Sequence, residues 1–230
     1  QAIERLIQLK GVAGREARDL LEAAMAEGFA GFEQETERMF ESQGEKSGTC
    51  AVCVVLTDTD GLYRLSVANL GDCRAVIARK DGQKFVCVSL TKDHRATVSS
   101  EKTRIEACGG QVINKRALDI LIPSRTFGDI KTKRKCPGAV IAEPELSHHD
   151  LIASEDCSLV LASDGLWDEL KNQKVMDLLY RHQHNAQSGC TAITQAVLKK
   201  VSGKGRMPRD DLTVVVATFD WKTQRRTSIA

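Results

Sequence analysis

Hydrophobic positions recur along this chain with two different periods, and the change of period marks its organisation. Across residues 2–40 the spacing is helical. Ile3, Leu6, Ile7 and Leu9 form one short apolar stripe, and after a break from Gly11 to Gly14 a second runs through Leu20, Leu21, Ala24, Met25, Phe29 and Phe32. Two helices are expected, with Gly28 and Gly31 weakening the second enough to bend or restart it. After a polar connection over residues 43–47 the period shortens. Residues 50–56, 63–70, 75–78 and 85–89 read as successive strands separated by Asp60-Gly61, Gly71-Asp72 and Asp81-Gly82, the pattern of an antiparallel meander.

Residues 99–107 predict a helix with Glu101 and Arg104 exposed, ended by Gly109-Gly110. Residues 112–114 and 118–122 are short strand candidates. The apolar run Leu159-Val160-Leu161-Ala162 is a buried strand that stops at Ser163-Asp164-Gly165. Val175, Leu178 and Leu179 mark one further helix, and Ile193, Val197, Leu198 and Val201 another, which should pair with it. Residues 212–219 form a last strand, entered from Asp210, and residues 222–230 a polar tail.

Length and charge narrow the possibilities. A chain of 230 residues with 42% hydrophobic content can bury one substantial core, so one domain spanning residues 1–230 is expected, divided into a helical segment (1–46), the strand-rich part (47–219) and the tail (220–230). The 33 basic and 31 acidic residues leave a formal charge of +2, which argues against the broad basic face of a nucleic-acid binder. All apolar runs are strand-length, short of the roughly 20 residues a membrane-spanning helix needs. A soluble monomer of the cytoplasm or nucleus, without a membrane partner, is expected. Eight cysteines are scattered through a chain large enough not to need covalent staples, so they read as reduced thiols. Cys50-Ala51-Val52-Cys53 has the spacing of a redox or zinc motif, but in a strand its thiols point to opposite faces.

The candidate chemistry is acidic. Asp164 ends a strand at a glycine, and Asp168 follows four residues later. If the chain winds into a helical turn there, the two carboxylates share a face and repel unless a cation or a proton lies between them. Asp-Gly is also an ordinary turn signal. Phe127-Gly128-Asp129 and Arg209-Asp210-Asp211 add two more acidic spots at turns or strand entries, and together they point to oxygen ligands for Mg²⁺ or Mn²⁺. The densest basic cluster is Lys131-Thr132-Lys133-Arg134-Lys135. It reads either as a solvated loop or as one that attracts a phosphorylated, acidic partner.

Eight ordered motifs resemble the metal-dependent (PPM-type, type 2C) protein serine/threonine phosphatases: Ser47-Gly48-Thr49, Ala68-Asn69-Leu70-Gly71-Asp72-Cys73-Arg74-Ala75, Thr91-Lys92-Asp93-His94, Arg104-Ile105 with Gly109-Gly110, Ser124-Arg125-Thr126-Phe127-Gly128-Asp129, Ala142-Glu143-Pro144-Glu145, Ala162-Ser163-Asp164-Gly165-Leu166-Trp167-Asp168, and Asp210-Asp211. The resemblance implies an α+β fold, a four-layer α-β-β-α sandwich of two antiparallel sheets flanked by helix pairs. It implies hydrolysis of phosphoserine or phosphothreonine by a metal-activated water in a phosphoprotein substrate, with two or three Mg²⁺ or Mn²⁺ ions. By position, Asp164 and Asp210 match ligands of the principal metal pair, and Asp129 and Asp168 match ligands that hold a third metal with Asp164. Lys131, Lys133, Arg134 and Lys135 fall in the family's variable flap, the candidate substrate-binding stretch. The family's phosphate-binding Arg and its Asp-Gly-His-Gly-Gly motif do not occur in these residues. The resemblance therefore implies an N-terminally incomplete domain beginning just downstream of that motif. Asp211, Cys50 and Cys73 stand where the family usually has Asn, Thr or Ser, and Ser. The alternative is a pseudophosphatase, a binding or scaffold module that keeps the fold without the catalysis.

Overall fold

The computed structural model describes residues 14–44, 46–59, 61–82, 84–203 and 210–221. The apolar stripe at residues 3–9 and the tail at 222–230 lie outside them. The contacts gather into two compact units, one formed by residues 1–73 and 91–150, the other by 74–90 and 151–230.

In the first unit, α1 (Gly14–Gln43) lies against a three-stranded antiparallel sheet of order β2-β3-β9, built from β2 (Ala51–Thr59), β3 (Leu62–Leu70) and β9 (Glu145–Asp150). Leu21 and Met25 of α1 pack on Ala68 of β3, with Phe29, Val55 and Leu146 around them. β3 is paired on both sides, and all its residues from Leu65 to Leu70 are buried. The helix runs through Gly28 and Gly31 as one 30-residue element, so the expected break does not occur. The roughly 1 kcal/mol that each interior glycine costs is outweighed by burial of the apolar face, since Leu21, Ala24 and Met25 are all below 9% exposed.

The same unit holds β1 (Gly48–Thr49) paired with β8 (Phe127–Gly128), α2 (Ser99–Ala107), the small hairpin of β6 (Val112–Ile113) and β7 (Arg116–Ala117), and α3 (Ile130–Lys135). Residues 118–122 do not form the expected strand. Leu118 and Asp119 adopt positive φ angles of 53° and 61°, which a strand cannot accommodate.

In the second unit the sheet has order β11-β10-β4-β5, from β4 (Arg74–Asp81), β5 (Lys84–Ser89), β10 (Asp156–Ala162) and β11 (Val214–Thr218), all antiparallel. α5 (Asn172–Arg181) and α6 (Ala186–Gly203) pair as expected and pack on it. Val76, Val160 and Ala162 of the sheet meet Val175, Met176 and Leu179 of α5 and Ile193, Val197 and Val201 of α6. Between β10 and α5 lies one helical turn, α4 (Asp164–Trp167).

The expected meander is thus two hairpins in two different sheets, because β3 and β4 do not pair. Gly71-Asp72 is no hairpin turn. Gly71 has φ +96°, and a Cβ there would stand 2.2 Å from the Cys50 sulfur. Asp72 is 4% exposed, lies 3.2 Å from Arg95 and accepts a hydrogen bond from the Cys50 thiol at 3.5 Å. A buried carboxylate held this way fixes the exit of β3. The expectation of antiparallel sheets with helices holds in both units. Among the described residues no helix is long and apolar enough to cross a membrane.

Candidate metal centre

In the second unit, antiparallel pairing of Ala162 with Val214 sets the end of β10 beside the start of β11. Asp164 follows that pair on one strand and Asp210-Asp211 precede it on the other, so these residues occupy the same edge of the sheet. Ser163 joins the two segments: its hydroxyl donates to Asp211 O at 3.2 Å and accepts from Thr213 N–H at 3.1 Å, and its own N–H donates to Thr213 O at 3.1 Å. Gly165 makes the approach possible, because a Cβ there would lie 2.5 Å from the Asp211 carbonyl oxygen.

After Gly165 the chain does wind into a helical turn. Asp168 N–H donates to Asp164 O at 2.9 Å, which places the two acidic residues one turn apart on one face, with Asp164 half-buried and Asp168 exposed. The turn is anchored by Trp167, 6% exposed, whose indole N–H returns to Ala162 O at 3.0 Å under the Arg74 guanidinium, 5.1 Å from the ring centroid. Leu166, fully buried, pins the other side. The motif from Ala162 to Asp168 is therefore a strand end locked by one aromatic and one aliphatic anchor, with its two carboxylates outside the core. Replacing Trp167 with Ala is expected to cost about 3–5 kcal/mol, read as a fall in the midpoint of chemical unfolding.

In the first unit, Asp129 sits in the left-handed region (φ 49°, ψ 32°) at the entry to α3, a conformation costing on the order of 1–2 kcal/mol for a residue with a Cβ. Its N–H donates to Ser47 O at 2.9 Å, and Gly48 faces Gly128 across the β1–β8 pair. A Cβ on Gly48 would fall 1.8 Å from Asp129 Oδ2 and 2.8 Å from the Phe127 carbonyl oxygen. The Ser47-Gly48-Thr49 motif is thereby accounted for: Gly48 is the cradle of the Asp129 carboxylate. Burial pushes that carboxyl above its usual range and Glu33 adds to the rise, against the opposing effects of Thr126 and the Lys133 charge. Gly48→Ala is expected to lower stability by about 1–3 kcal/mol and to displace Asp129, visible as a lower melting temperature and altered backbone amide shifts at residues 126–130.

Other motifs that looked chemical are braces. Glu101, expected to be exposed, is 3% exposed; it receives hydrogen bonds from Arg125 at 2.7 Å, Arg104 at 2.7 Å and Ser124 at 2.7 Å. Burial alone would raise its pKa, but these donors outweigh burial and hold it at about 2. The expectation of exposure failed because a helix of low amphipathicity does not show its inner face in sequence. Arg104 also ties α2 to the turn after α3, through Ala139 O at 3.2 Å. His94 Nδ1 accepts from Gly71 N–H at 3.2 Å, which leaves Nε2 as the donor to Glu145 at 3.1 Å; Lys92 reaches the same carboxylate at 3.3 Å. Burial, then the Arg125 charge, lower the His94 pKa, consistent with a neutral ring.

The basic stretch is a helix, not a loop, and part of its charge is committed. Lys133 pairs with Glu33 at 2.5 Å and donates to Thr126 O at 2.8 Å, while Glu33 also accepts from Gly128 N–H at 2.9 Å. Arg134 pairs with Glu37 at 3.3 Å and with Glu41. Lys131 and Lys135 are exposed.

The donor chemistry suits a hard divalent cation, since Asp129, Asp164, Asp168 and Asp210 offer only carboxylate oxygens. Among the described residues, no group of three or more His, Cys, Asp and Glu side chains is arranged to hold a metal ion. Asp164, Asp168 and Asp210 stand at one edge of the second unit, and Asp129 belongs to the first.

The family profile of protein phosphatase 2C matches residues 4–203. Probable protein phosphatase 2C 74 of Oryza sativa subsp. japonica is 38% identical over 186 residues, which are 79% of this chain and 42% of that protein. Protein phosphatase ppm-1.A of Caenorhabditis elegans is 31% identical over 205 residues, 87% of this chain and 41% of that protein. The chain thus spans less than half the length of these relatives. The crystal structure of serine-threonine phosphatase 2C from Toxoplasma gondii superposes with a TM-score of 0.76 at 21% identity, covering 95% of this chain and 75% of that one, a likeness of fold. With the profile spanning most of its length and its fold shared with a solved member, this chain belongs to the protein phosphatase 2C family.

Proposed function

We propose that this chain is the core of a metal-dependent protein serine/threonine phosphatase. The observation that carries the reading is that the pairing of Ala162 with Val214, with Ser163 bonded to both segments, brings the chain at Asp164 and the chain at Asp210-Asp211 to the same edge of one sheet. Asp164, Asp168 and Asp210 would hold Mg²⁺ or Mn²⁺, and Asp129 is the further carboxylate that the family resemblance assigns to the metals. Bound there, divalent ions lower the pKa of water and neutralise charge on phosphoryl oxygens. The residues themselves supply position. Gly165 lets Asp164 approach the Asp211 backbone, Ser163 ties the two segments, and Trp167 keeps the helical turn from rotating its carboxylates away.

The test is hydrolysis of phosphoserine and phosphothreonine peptides by the longest natural chain containing these residues, with Mn²⁺ and with a chelator. Chelator-sensitive release of phosphate supports the enzyme. A folded protein that binds phosphopeptide without releasing phosphate supports the scaffold reading.

We further propose that the exposed lysines of α3 draw in the phosphoprotein. Lys133 and Arg134 serve the α1 contacts, so the informative variant is Lys131→Gln with Lys135→Gln. It is expected to lower kcat/KM for a phosphoprotein several-fold, most at low salt, and to leave aryl phosphate turnover unchanged. Equal losses on both substrates would remove the recruitment role.

A further inference from the structure

All eight cysteines are free thiols, and two of them face each other. Cys108 follows α2 and Cys136 follows α3, both in the first unit, with their sulfurs 3.8 Å apart. The pair is held by structure on both sides. The Cys108 thiol donates to Ile105 O at 3.1 Å, and the Cys136 thiol donates to Cys108 O at 3.4 Å. Ala139 N–H donates to Cys136 O at 3.1 Å, closing a turn that Arg104 straps to the end of α2 through Gly138 O and Ala139 O. Gly138, at φ +93°, lies so close that a Cβ there would stand 3.3 Å from Cys108 Cβ.

We propose that Cys108 and Cys136 are a modification site, a dithiol that takes up a reversible disulfide by exchange with a small disulfide such as oxidised glutathione. The sulfurs are in van der Waals contact, and side-chain rotation closes the remaining distance to the roughly 2 Å of a covalent bond. Cys108 is the more exposed, so its thiolate attacks one sulfur of the small disulfide and expels one thiol. Cys136 then attacks the Cys108 sulfur and expels the second. Two S–H bonds are lost and one S–S bond forms in the protein. The small disulfide takes the two electrons and two protons and leaves as two thiols. Held proximity makes the second step effectively unimolecular, which favours the internal bond over a lasting mixed disulfide. Burial, then the hydrogen bond and charge of the Cys108 sulfur, push the Cys136 thiol up, consistent with the later, resolving role.

The bond would close a loop that contains Ser124, Arg125 and Asp129, so it would restrain in the unfolded chain the segment that carries the first unit's acidic candidate.

The experiment treats the unmutated chain with oxidised glutathione at neutral pH, blocks remaining thiols with N-ethylmaleimide and maps tryptic peptides by mass spectrometry. The expected product is a peptide pair joined through Cys108 and Cys136, reversed by dithiothreitol, with a melting temperature raised on the order of 5–10 °C. In Cys136→Ser, Cys108 should instead keep a glutathione adduct. Both sulfurs carrying maleimide, or separate glutathione adducts on each in the unmutated chain, would overturn the proposal. Because the mapping is made on the unmutated protein, no variant's folding decides it.

Discussion

Asp164→Asn, made in the natural protein that contains this chain, is expected to lower Mn²⁺-dependent phosphatase activity by at least about a thousandfold, as losing a principal ligand removes several kcal/mol of transition-state stabilisation. The substitution keeps the shape of the side chain and removes its charge. Because Asp164 is only half-buried and the turn is anchored by Leu166 and Trp167, the melting temperature of the metal-free protein should barely move. Asp168→Asn, one turn later and exposed, should cost less, since by the family resemblance it serves only the third ion. Comparable losses from both variants would contradict the ranking.

Glu101→Ala is expected to be the most destabilising single change in the first unit, at about 3–5 kcal/mol, because it leaves two partly buried guanidinium groups without the carboxylate they share. The same cluster makes stability depend on acid. Glu101 titrates at about 2 in the fold against an ordinary 4.5, so the unfolded chain binds the proton more readily. The stabilisation is therefore fully present above about pH 4.5 and is lost as pH falls from there through about 2. It amounts to on the order of 3 kcal/mol. Unfolding by urea between pH 6 and 3 should show the first part of this loss in the unmutated chain and a shallower one in Glu101→Gln. Parallel pH profiles would count against the cluster.

What the sequence disclosed depended on whether local pattern and long-range partner agreed. The strands of both hairpins, the paired helices at 172–203 and the turn after Gly165 were legible because each carries its own periodicity or glycine signal. β9 was missed: in Glu145-Leu146-Ser147-His148-His149-Asp150 only Leu146 is strongly apolar, and its strand character comes from pairing with β3. The split between β3 and β4 was also hidden, since Gly71-Asp72 has the composition of a turn and its role depends on Arg95 and Cys50, both distant in sequence. Among the site residues, Asp164 and Asp168 were readable from spacing. Gly48 and Glu101 were not, because what requires them is the Asp129 carboxylate in one case and Arg125 in the other. The commitment of Lys133 and Arg134 to α1 was likewise invisible, as their partners lie on a helix roughly a hundred residues earlier in the chain.

The measurement closest to the central claim is aryl phosphate hydrolysis in Mn²⁺ by the 230-residue chain and by the longest natural chain containing these residues, each with and without chelator. The 230 residues contain no Asp-Gly-His-Gly-Gly motif, so the family resemblance predicts weak or no hydrolysis from them. The longest natural chain containing these residues should hydrolyse the ester in Mn²⁺, lose that activity to chelator and lose it again on Asp164→Asn. A longest natural chain that is folded but inactive in Mn²⁺, or activity that survives both chelator and the loss of the Asp164 charge, would contradict the account.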